Sequence, residues 1–124
     1  MPESKLDIQV RNEGDVTVLT LKGEITLDDG DLLFRRVVHE LLDQGRIKLV
    51  ADIGEVTYID SAGVGMIAGK LKTVRERGGD LQLARVTSKS TRLLGMMKLL
   101  LAFEVHVDAA SAVRSFAWKD GRKV

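Results

Sequence analysis

The residues best suited to chemistry lie in one short segment, 59–65, of sequence IDSAGVG. Asp60 and Ser61 stand before a run with helical spacing, where side-chain oxygens commonly cap the unpaired N–H groups of a helix start. The same Ser61 hydroxyl is a candidate for modification, because a helix N-terminus offers N–H groups and a positive dipole end to a phosphate. A cap is the commoner role for such residues, and the two roles are compatible. Gly63 and Gly65 keep the neighbourhood small, which would let a partner approach closely.

The glycines also spell a weaker motif. Gly63, Gly65 and Gly69 form G-x-G-x-x-x-G near a helix start, which resembles part of a dinucleotide-binding fingerprint. The genuine fingerprint follows directly on a strand, whereas we predict about ten residues between Ile53 and the first glycine. A nucleotide-binding enzyme is therefore the less favoured alternative for this chain.

The chain has two histidines and no cysteine, which leaves little for metal binding or hydrolysis. Ser61 is not in a G-x-S-x-G motif. His39 lies on a predicted helix and His106 on a predicted strand, and both are expected to face solvent. No catalytic residue, metal or cofactor is expected, so the chain is not predicted to be an enzyme.

The composition argues against several classes of partner. A net charge of +1 over 124 residues gives no general attraction to nucleic acid or to an anionic membrane. Lys70, Lys72, Arg75 and Arg77 are spread around one predicted helix and are interpreted as a solvated face. The first residues lack the apolar stretch of a signal peptide, and the most apolar segment, 93–107, is too short and too polar to cross a membrane. We expect a soluble cytoplasmic protein without a nucleic-acid partner and without membrane insertion.

The elements that position segment 59–65 follow from the hydrophobic periodicity. The first half predicts a hairpin over 6–10 and 16–21 that ends at Gly23, a helix from Asp28 or Asp29 to Gly45, and a buried strand over 47–53. After a loop over 54–60, the second half predicts a helix to Gly78-Gly79, a strand over 81–86, a helix from Ser88 or Ser90 to about 101, a strand over 103–107, a helix over 108–117 and a loose tail over 119–124.

This order, β-β-α-β-α-β-α-β-α, indicates the α/β class. Strands that alternate with helices form parallel sheets, and the opening hairpin adds an antiparallel pair. We predict one mixed, mostly parallel sheet of about five strands with about four helices. One domain is expected over 1–124, with its core at about 6–117.

Several spaced motifs together resemble one family. Segment 59–65 resembles the D-S-[ST]-G-[LV]-G signature of the STAS family, particularly the anti-sigma factor antagonists. Residues 21–25, of sequence LKGEI, are similar to that family's L-x-G-[DE]-[LI] stretch. Residues 50–57 resemble its third strand with the loop toward the serine, and 77–81 its turn into the fourth strand. The motifs are colinear from about 6 to 116, and this order makes the resemblance specific.

The resemblance implies a phosphorylation-controlled binding switch. Ser61 corresponds to the serine that is phosphorylated by a partner that is both anti-sigma factor and serine kinase. The unphosphorylated form would bind that anti-sigma factor and free a sigma factor, and a serine phosphatase would reset the cycle. The residues implied in partner binding are those of the two signatures: Asp60, Ser61, Ala62, Gly63, Gly65, Gly23 and Glu24.

Two departures and one alternative accompany this resemblance. Ala62 replaces a second hydroxyl residue, and residues 97–101 lack the family's Thr-Gly pair. The apolar segment 96–103 could be core or interface, and a homodimer is left open. Related domains also serve in anion transporters, as accessory subunits of lipid-transport complexes, or in stress-sensing assemblies. The chain length argues against the first of these, and the serine at 61 favours the switch over the lipid-transport subunits.

Overall fold

A computed structural model describes residues 5–26, 29–86 and 105–121. Its strands are β1 (Leu6–Glu13), β2 (Val16–Ile25), β3 (Lys48–Ile59), β4 (Asp80–Ala84) and β5 (Val105–His106). The helices among these residues are α1 (Asp29–Asp43), α2 (Ser61–Glu76) and α3 (Ala109–Gly121). The predicted helix from Ser88 or Ser90 and the apolar segment 96–103 lie outside the described residues.

The five strands form one sheet in the order β1-β2-β3-β4-β5. β1 and β2 are antiparallel and are joined by a two-residue turn, in which Gly14 has a φ of +66°. The pairs β2–β3, β3–β4 and β4–β5 are all parallel. The predicted α/β fold with a mixed, mostly parallel sheet is confirmed.

The sheet is covered on both faces, as its β-branched and leucine-rich strands require. On one face, α1 and α2 enclose the larger core, in which Phe34, Leu19 and Leu49 are fully buried. On the other face, α3 packs Ala112 and Phe116 against Val18 and Val50, as well as Val16 and Ala84. The sheet is therefore the common wall of two hydrophobic clusters.

Three strands extend beyond their predicted ends, and the first of them, β1, reaches Glu13. β2 passes through Gly23 to Ile25, and β3 passes through the predicted loop to Ile59. Two register shifts against β2 accommodate the additional residues of β3. At the first shift, Asp52 to Glu55 spans three residue steps on β3 and lies opposite the two steps from Thr20 to Lys22 on β2. The second shift follows at Gly23. The predictions that Gly23 ends β2 and that residues 54–60 form a loop are therefore wrong.

Smaller differences concern element ends. Gly45 and Gly78 have φ values of +81° and +87° and follow α1 and α2, as predicted. β4 ends at Ala84, so Val86 is not part of this strand. α3 continues to Gly121 and not only to 117, because no proline or glycine interrupts the sequence before that residue. The predicted loose tail is thus helical up to Gly121.

Candidate functional site

The start of α2 is built around Asp60. Its backbone is extended, with φ −90° and ψ 175°, and its Oδ1 accepts a hydrogen bond from the Gly63 N–H at 2.7 Å. Its carbonyl oxygen accepts the Val64 N–H at 3.0 Å. Asp60 is therefore the N-cap, and Ser61 is the first helical residue. The sequence predicted that either Asp60 or Ser61 is the N-cap, and the structure shows that it is Asp60.

The cap is fixed to the sheet by a further hydrogen bond. The Asp60 N–H donates to the Ile25 carbonyl oxygen at 3.2 Å, and Ile25 pairs with Ile59 where β2 and β3 end. Both isoleucines are buried. The position of Ser61 is thus determined by the ends of two strands and by the cap that precedes it.

The first turn of α2 can accept an anion. The N–H groups of Ser61 and Ala62 precede the first possible i to i−4 bond, so the helix itself supplies no acceptor for them. The positive end of the helix dipole lies at the same place, and no acidic residue occupies the first turn of the helix. The carboxylate that directly precedes Ser61 in the sequence is that of Asp60, and its Oδ1 accepts the Gly63 N–H.

The second predicted signature lies beside the first. Glu24 pairs with Tyr58, and Gly23 pairs with Val56, on the adjoining strands β2 and β3. The Thr57 hydroxyl donates to the Gly23 carbonyl oxygen at 3.2 Å. The two signatures therefore meet where β2 and β3 end, at the pair of Ile25 and Ile59.

The backbone conformation at position 23 requires a glycine. Its φ is +109°, which disfavours other residues, and a Cβ atom built there would collide with the Lys5 carbonyl oxygen. That oxygen accepts the Glu24 N–H at 2.9 Å. Gly23 thus lets β1 remain paired with β2 where the β2–β3 register shifts. Any partner contact made by Gly23 would come in addition to this role.

The two glycines of the serine signature differ in environment. Gly63 is buried, and a Cβ atom there would lie 2.5 Å from the Ile25 carbonyl oxygen and 3.1 Å from the Cγ2 atoms of Ile25 and Ile59. Gly65 is exposed, and nothing lies within 4 Å of its Cβ direction. Gly63 therefore allows the helix to pack on the sheet, whereas Gly65 leaves open surface. Ala62, between Ser61 and Gly63, is half-buried.

The glycines at 63, 65 and 69 do not have the position that a dinucleotide-binding fingerprint requires. β3 ends at Ile59, so the predicted gap of ten residues between strand and first glycine does not exist. Gly63, Gly65 and Gly69 instead lie within α2 and not in a loop before it. A phosphate-binding fingerprint needs its first glycine in the turn between strand and helix. The glycines of α2 do not form such a turn.

An exposed aromatic residue was missed in the sequence. Tyr58 is 47% exposed and lies two residues before the cap, beside the half-buried Glu24. Its neighbours Val56 and Ile59 are buried. Aromatic side chains at partly exposed positions are enriched in protein interfaces. The sequence gives no regular strand signal here, because the buried Val56 and Ile59 are three positions apart and do not follow the two-residue period of a strand.

Both histidines are less exposed than predicted. His39 is half-buried, and its Nε2 lies 2.8 Å from the Lys70 Nζ. His106 is half-buried, and its Nε2 is buried without a hydrogen-bond partner among the described residues. Their predicted solvent-facing positions are wrong, because α2 packs beside His39 and because β4 pairs with the short strand that carries His106.

A partly buried ion pair lies beside the first register shift of β3. Arg85 follows β4 with a φ of +55°, and its Nε donates to Asp52 Oδ1 at 2.6 Å. The same oxygen accepts the Gly54 N–H at 3.1 Å, and an Arg85 Nη lies 3.4 Å from Glu55. The hydrogen bond that Arg85 donates to Asp52 raises the pKa of Arg85 above its ordinary value. A Cβ atom at Gly54 would overlap the Arg85 side chain, so the glycine makes room for this contact.

Within residues 5–26, 29–86 and 105–121, no group of three or more histidine, cysteine, aspartate or glutamate side chains could hold a metal ion. No helix in the same ranges is long and apolar enough to cross a membrane.

Comparison with known proteins places the chain among related sequences. The family model described as "Mlab, STAS domain" matches residues 8–101. The chain is 25% identical over 108 residues to the anti-sigma F factor antagonist of Paenibacillus polymyxa, with 84% of this chain and 92% of that protein covered. It is 28% identical over 104 residues to the anti-sigma-B factor antagonist of Bacillus subtilis (strain 168), with 84% and 93% covered.

The fold is shared with a protein of known structure. The Bacillus cell fate determinant SpoIIAA in its phosphorylated form matches with a TM-score of 0.70 and 18% identity, over 89% of this chain and 99% of that chain. At this identity the match shows a common fold. The resemblance predicted from the spaced motifs is confirmed by a family match over more than half of the sequence. The chain therefore belongs to the STAS domain family.

Proposed function

We propose that this protein is an anti-sigma factor antagonist whose binding to its anti-sigma factor is controlled by phosphorylation of Ser61. The observation that carries the proposal is the place of Ser61, the first residue of α2 directly after the Asp60 cap. The relatives from Paenibacillus polymyxa and Bacillus subtilis are named as such antagonists. A protein of the same fold has been solved in a phosphorylated form.

A phosphate on Ser61 is compatible with the folded domain. It would add about −1.5 to −2 charges at neutral pH, at a helix end where N–H groups and the dipole favour an anion. Its repulsion from Asp60 is offset by these groups. The cap itself uses Oδ1 of Asp60 and the Gly63 N–H, and both are set by the buried Ile25–Ile59 pair beneath them. We expect phosphorylation to leave the fold intact.

The same phosphate would oppose a closely packed partner. Gly65 leaves the helix surface open and Tyr58 offers an exposed aromatic ring nearby, which together suit a partner that packs over the start of α2. Such a partner must remove water from the phosphate. An unpaired charge at an interface costs about 2–5 kcal/mol, which corresponds to a loss of roughly thirty- to several-thousand-fold in affinity.

The remaining parts of the cycle belong to the same proposal. The partner is an anti-sigma factor with serine kinase activity, and a serine phosphatase restores the binding form. The protein works in the cytoplasm as a binding module and not as an enzyme, with residues 1–124 as one STAS domain. The residues proposed to contact the partner are Ser61 and, with it, Asp60, Ala62, Gly63, Gly65, Gly23 and Glu24.

Phosphorylation and binding test this proposal with the same variants. A purified anti-sigma factor kinase of the source organism with ATP should add one phosphate, which mass spectrometry should locate at Ser61. Ser61→Ala should stay unmodified and bind constitutively, whereas Ser61→Asp should bind at least thirty-fold more weakly by calorimetry. Ser111→Ala, on α3, is the matched control and should behave as the wild type. Equal phosphorylation of Ser61→Ala and wild type would refute the site.

A second candidate function is the alternative that the resemblance to the STAS family leaves open. In this case the protein would be an accessory subunit of a transport complex and would bind a transporter ATPase. Affinity purification of the wild-type protein separates the two functions. Recovery of a kinase-like ATPase supports the phosphorylation switch, and recovery of a transporter ATPase supports the accessory subunit.

A further inference from the structure

Strand β1 forms one edge of the sheet and has no neighbour on its outer side within the described residues. Ile8 is half-buried. Six of the eight residues of β1 are exposed: Asp7, Gln9, Val10, Arg11, Asn12 and Glu13. An open edge presents unpaired N–H and C=O groups that can pair with another strand. The outer edge of β1 is therefore a candidate surface for pairing with another strand.

The hairpin determines which backbone groups of β1 point outward. Glu13 and Val16 flank a two-residue turn, and such pairs are hydrogen-bonded to each other. At the other end, the Lys5 carbonyl oxygen accepts the Glu24 N–H from the β2 side. Odd-numbered residues of β1 thus bond to β2. Ile8, Val10 and Asn12 direct their backbone groups to the open edge.

The charges along β1 form a regular row. Alternate residues share one face of a strand, and on this face the order is Lys5, Asp7, Gln9, Arg11, Glu13. All five are exposed. The sequence of charges is plus, minus, neutral, plus, minus. Rotation of this row about Gln9 by a two-fold axis places each charge opposite one of the other sign.

This property depends on the register. With Gln9 opposite Gln9 of a second antiparallel copy, Asp7 faces Arg11 and Lys5 faces Glu13, each twice by symmetry. A shift by two residues in one direction sets Lys5 against Arg11, and a shift in the other direction sets Asp7 against Glu13. A register centred on Asp7 or on Arg11 opposes identical charges. Like charges directly opposite one another are destabilising in antiparallel pairs.

The backbone and the other face agree with the register centred on Gln9. It pairs Ile8 with Val10 of the second copy, and both residues direct their N–H and C=O groups outward. Gln9, Asp7 and Arg11 then occupy non-hydrogen-bonded pairs, in which opposing side chains are closer. On the opposite face, Val10 is 46% exposed and would be covered by Ile8 of the second copy.

We propose that two copies of this protein associate through antiparallel pairing of their β1 strands, with the two-fold axis at Gln9. The two sheets then form one continuous sheet. The pairing is isologous, so each copy supplies the same surface. The contact involves one strand from each copy, which places the association in the weak and reversible range. The proposal does not depend on the proposed phosphorylation of Ser61.

Charge exchange across the β1 pair provides the test. Sedimentation velocity from about 10 μM to 1 mM should show reversible dimerisation of the wild type. Arg11→Asp and Asp7→Arg should each raise the dissociation constant at least tenfold, because each opposes like charges twice. An equimolar mixture of the two variants should recover association, since Asp7→Arg then faces Arg11→Asp and the native Arg11 faces the native Asp7. Arg36→Asp, at an exposed position of α1, should match the wild type.

The outcomes are distinct. Circular dichroism checks that every variant is folded, which is expected because both substituted positions are exposed. A wild type that stays monomeric over the whole range overturns the proposal. A dimer that none of the β1 substitutions weakens overturns it as well, and so does a mixture that fails to recover association. Recovery in the mixture, with the control unchanged, supports the β1 pairing and its register.

Discussion

Gly63 and Gly65 offer a matched pair of substitutions whose effects on stability should have opposite signs. Both lie in α2, both would become alanine, and both lose the conformational freedom that makes glycine unfavourable in a helix. At Gly65 the added methyl group meets nothing within 4 Å. At Gly63 it meets the Ile25 carbonyl oxygen at 2.5 Å and two isoleucine methyl groups at 3.1 Å.

The size of the difference follows from these contacts. Replacing glycine by alanine inside a helix gains about 0.5–1 kcal/mol, so Gly65→Ala should be more stable than the wild type by about that amount. The Ile25 oxygen cannot move freely, because it accepts the Asp60 N–H at 3.2 Å and Ile25 pairs with Ile59. Overpacking of this kind costs about 1–3 kcal/mol. Gly63→Ala should therefore be less stable than Gly65→Ala by about 1–3 kcal/mol.

Urea denaturation of the wild type and both variants measures this difference in the free energy of unfolding. In a chain of this size, 1 kcal/mol shifts Tm by about 3–5 °C, so thermal unfolding provides a second reading. Equal stability of the two alanine variants would refute the assigned packing of Gly63. A partner-binding measurement on Gly65→Ala adds a functional reading, because a stabilised variant that binds the anti-sigma factor more weakly places the partner over the open helix surface.

Three further predictions concern single side chains. Asp60→Ala should lower the free energy of unfolding by about 1 kcal/mol through loss of the cap, whereas Asp60→Asn should lower it by a smaller amount, since asparagine caps equally well; urea denaturation that shows no difference between them would contradict the cap. Gln82 is fully buried and neither of its amide atoms has a hydrogen-bond partner among the described residues, so Gln82→Met should raise stability by about 1 kcal/mol, and a lower Tm would show that the amide has a role. The hydrogen bond from Lys48 lowers the pKa of Asp15, so this carboxylate contributes stability above its unfolded pKa and the contribution is lost as pH falls through the lower folded value. Asp15→Asn should consequently lose less stability than the wild type between about pH 5 and 2, and parallel acid-denaturation curves would contradict the pairing.

Local patterns were sufficient for much of this fold. The alternation of Leu6, Ile8 and Val10, with turn formers before Val16, predicts a hairpin that the structure contains. Helical spacing after Asp60 predicts α2, and the glycines after α1 and α2 predict their ends. These features depend on residues close in sequence, so the sequence carries their signal directly. The serine signature was found for the same reason, because its residues are consecutive.

The errors concern features that depend on a neighbouring strand. β3 continues to Ile59 because β2 accepts its additional residues through two register shifts, which no single-strand pattern reveals. The positive φ of Arg85 is supported by Asp52, 33 positions earlier in the sequence. The contrast between Gly63 and Gly65 could have been anticipated, since residues two apart lie on nearly opposite sides of a helix. Only the structure shows which of the two sides of the helix faces the sheet.

The arrangement at the start of α2 bears on how a signal at Ser61 would act. The Asp60 cap is bonded to the Ile25 carbonyl, and Gly63 packs against the same residue, so the first turn has little room for rearrangement. A phosphate there would change the charge of the surface more than its shape. The edge strand β1 lies beyond β2, on the side away from β3 and α2. Pairing through β1 would leave the Ser61 edge of each copy accessible, so Arg11→Asp should weaken self-association while phosphorylation of Ser61 remains at one phosphate per chain. If a folded Arg11→Asp variant lost both self-association and phosphorylation of Ser61, the two surfaces would be coupled. The separation of β1 from Ser61 by β2 predicts that they are independent.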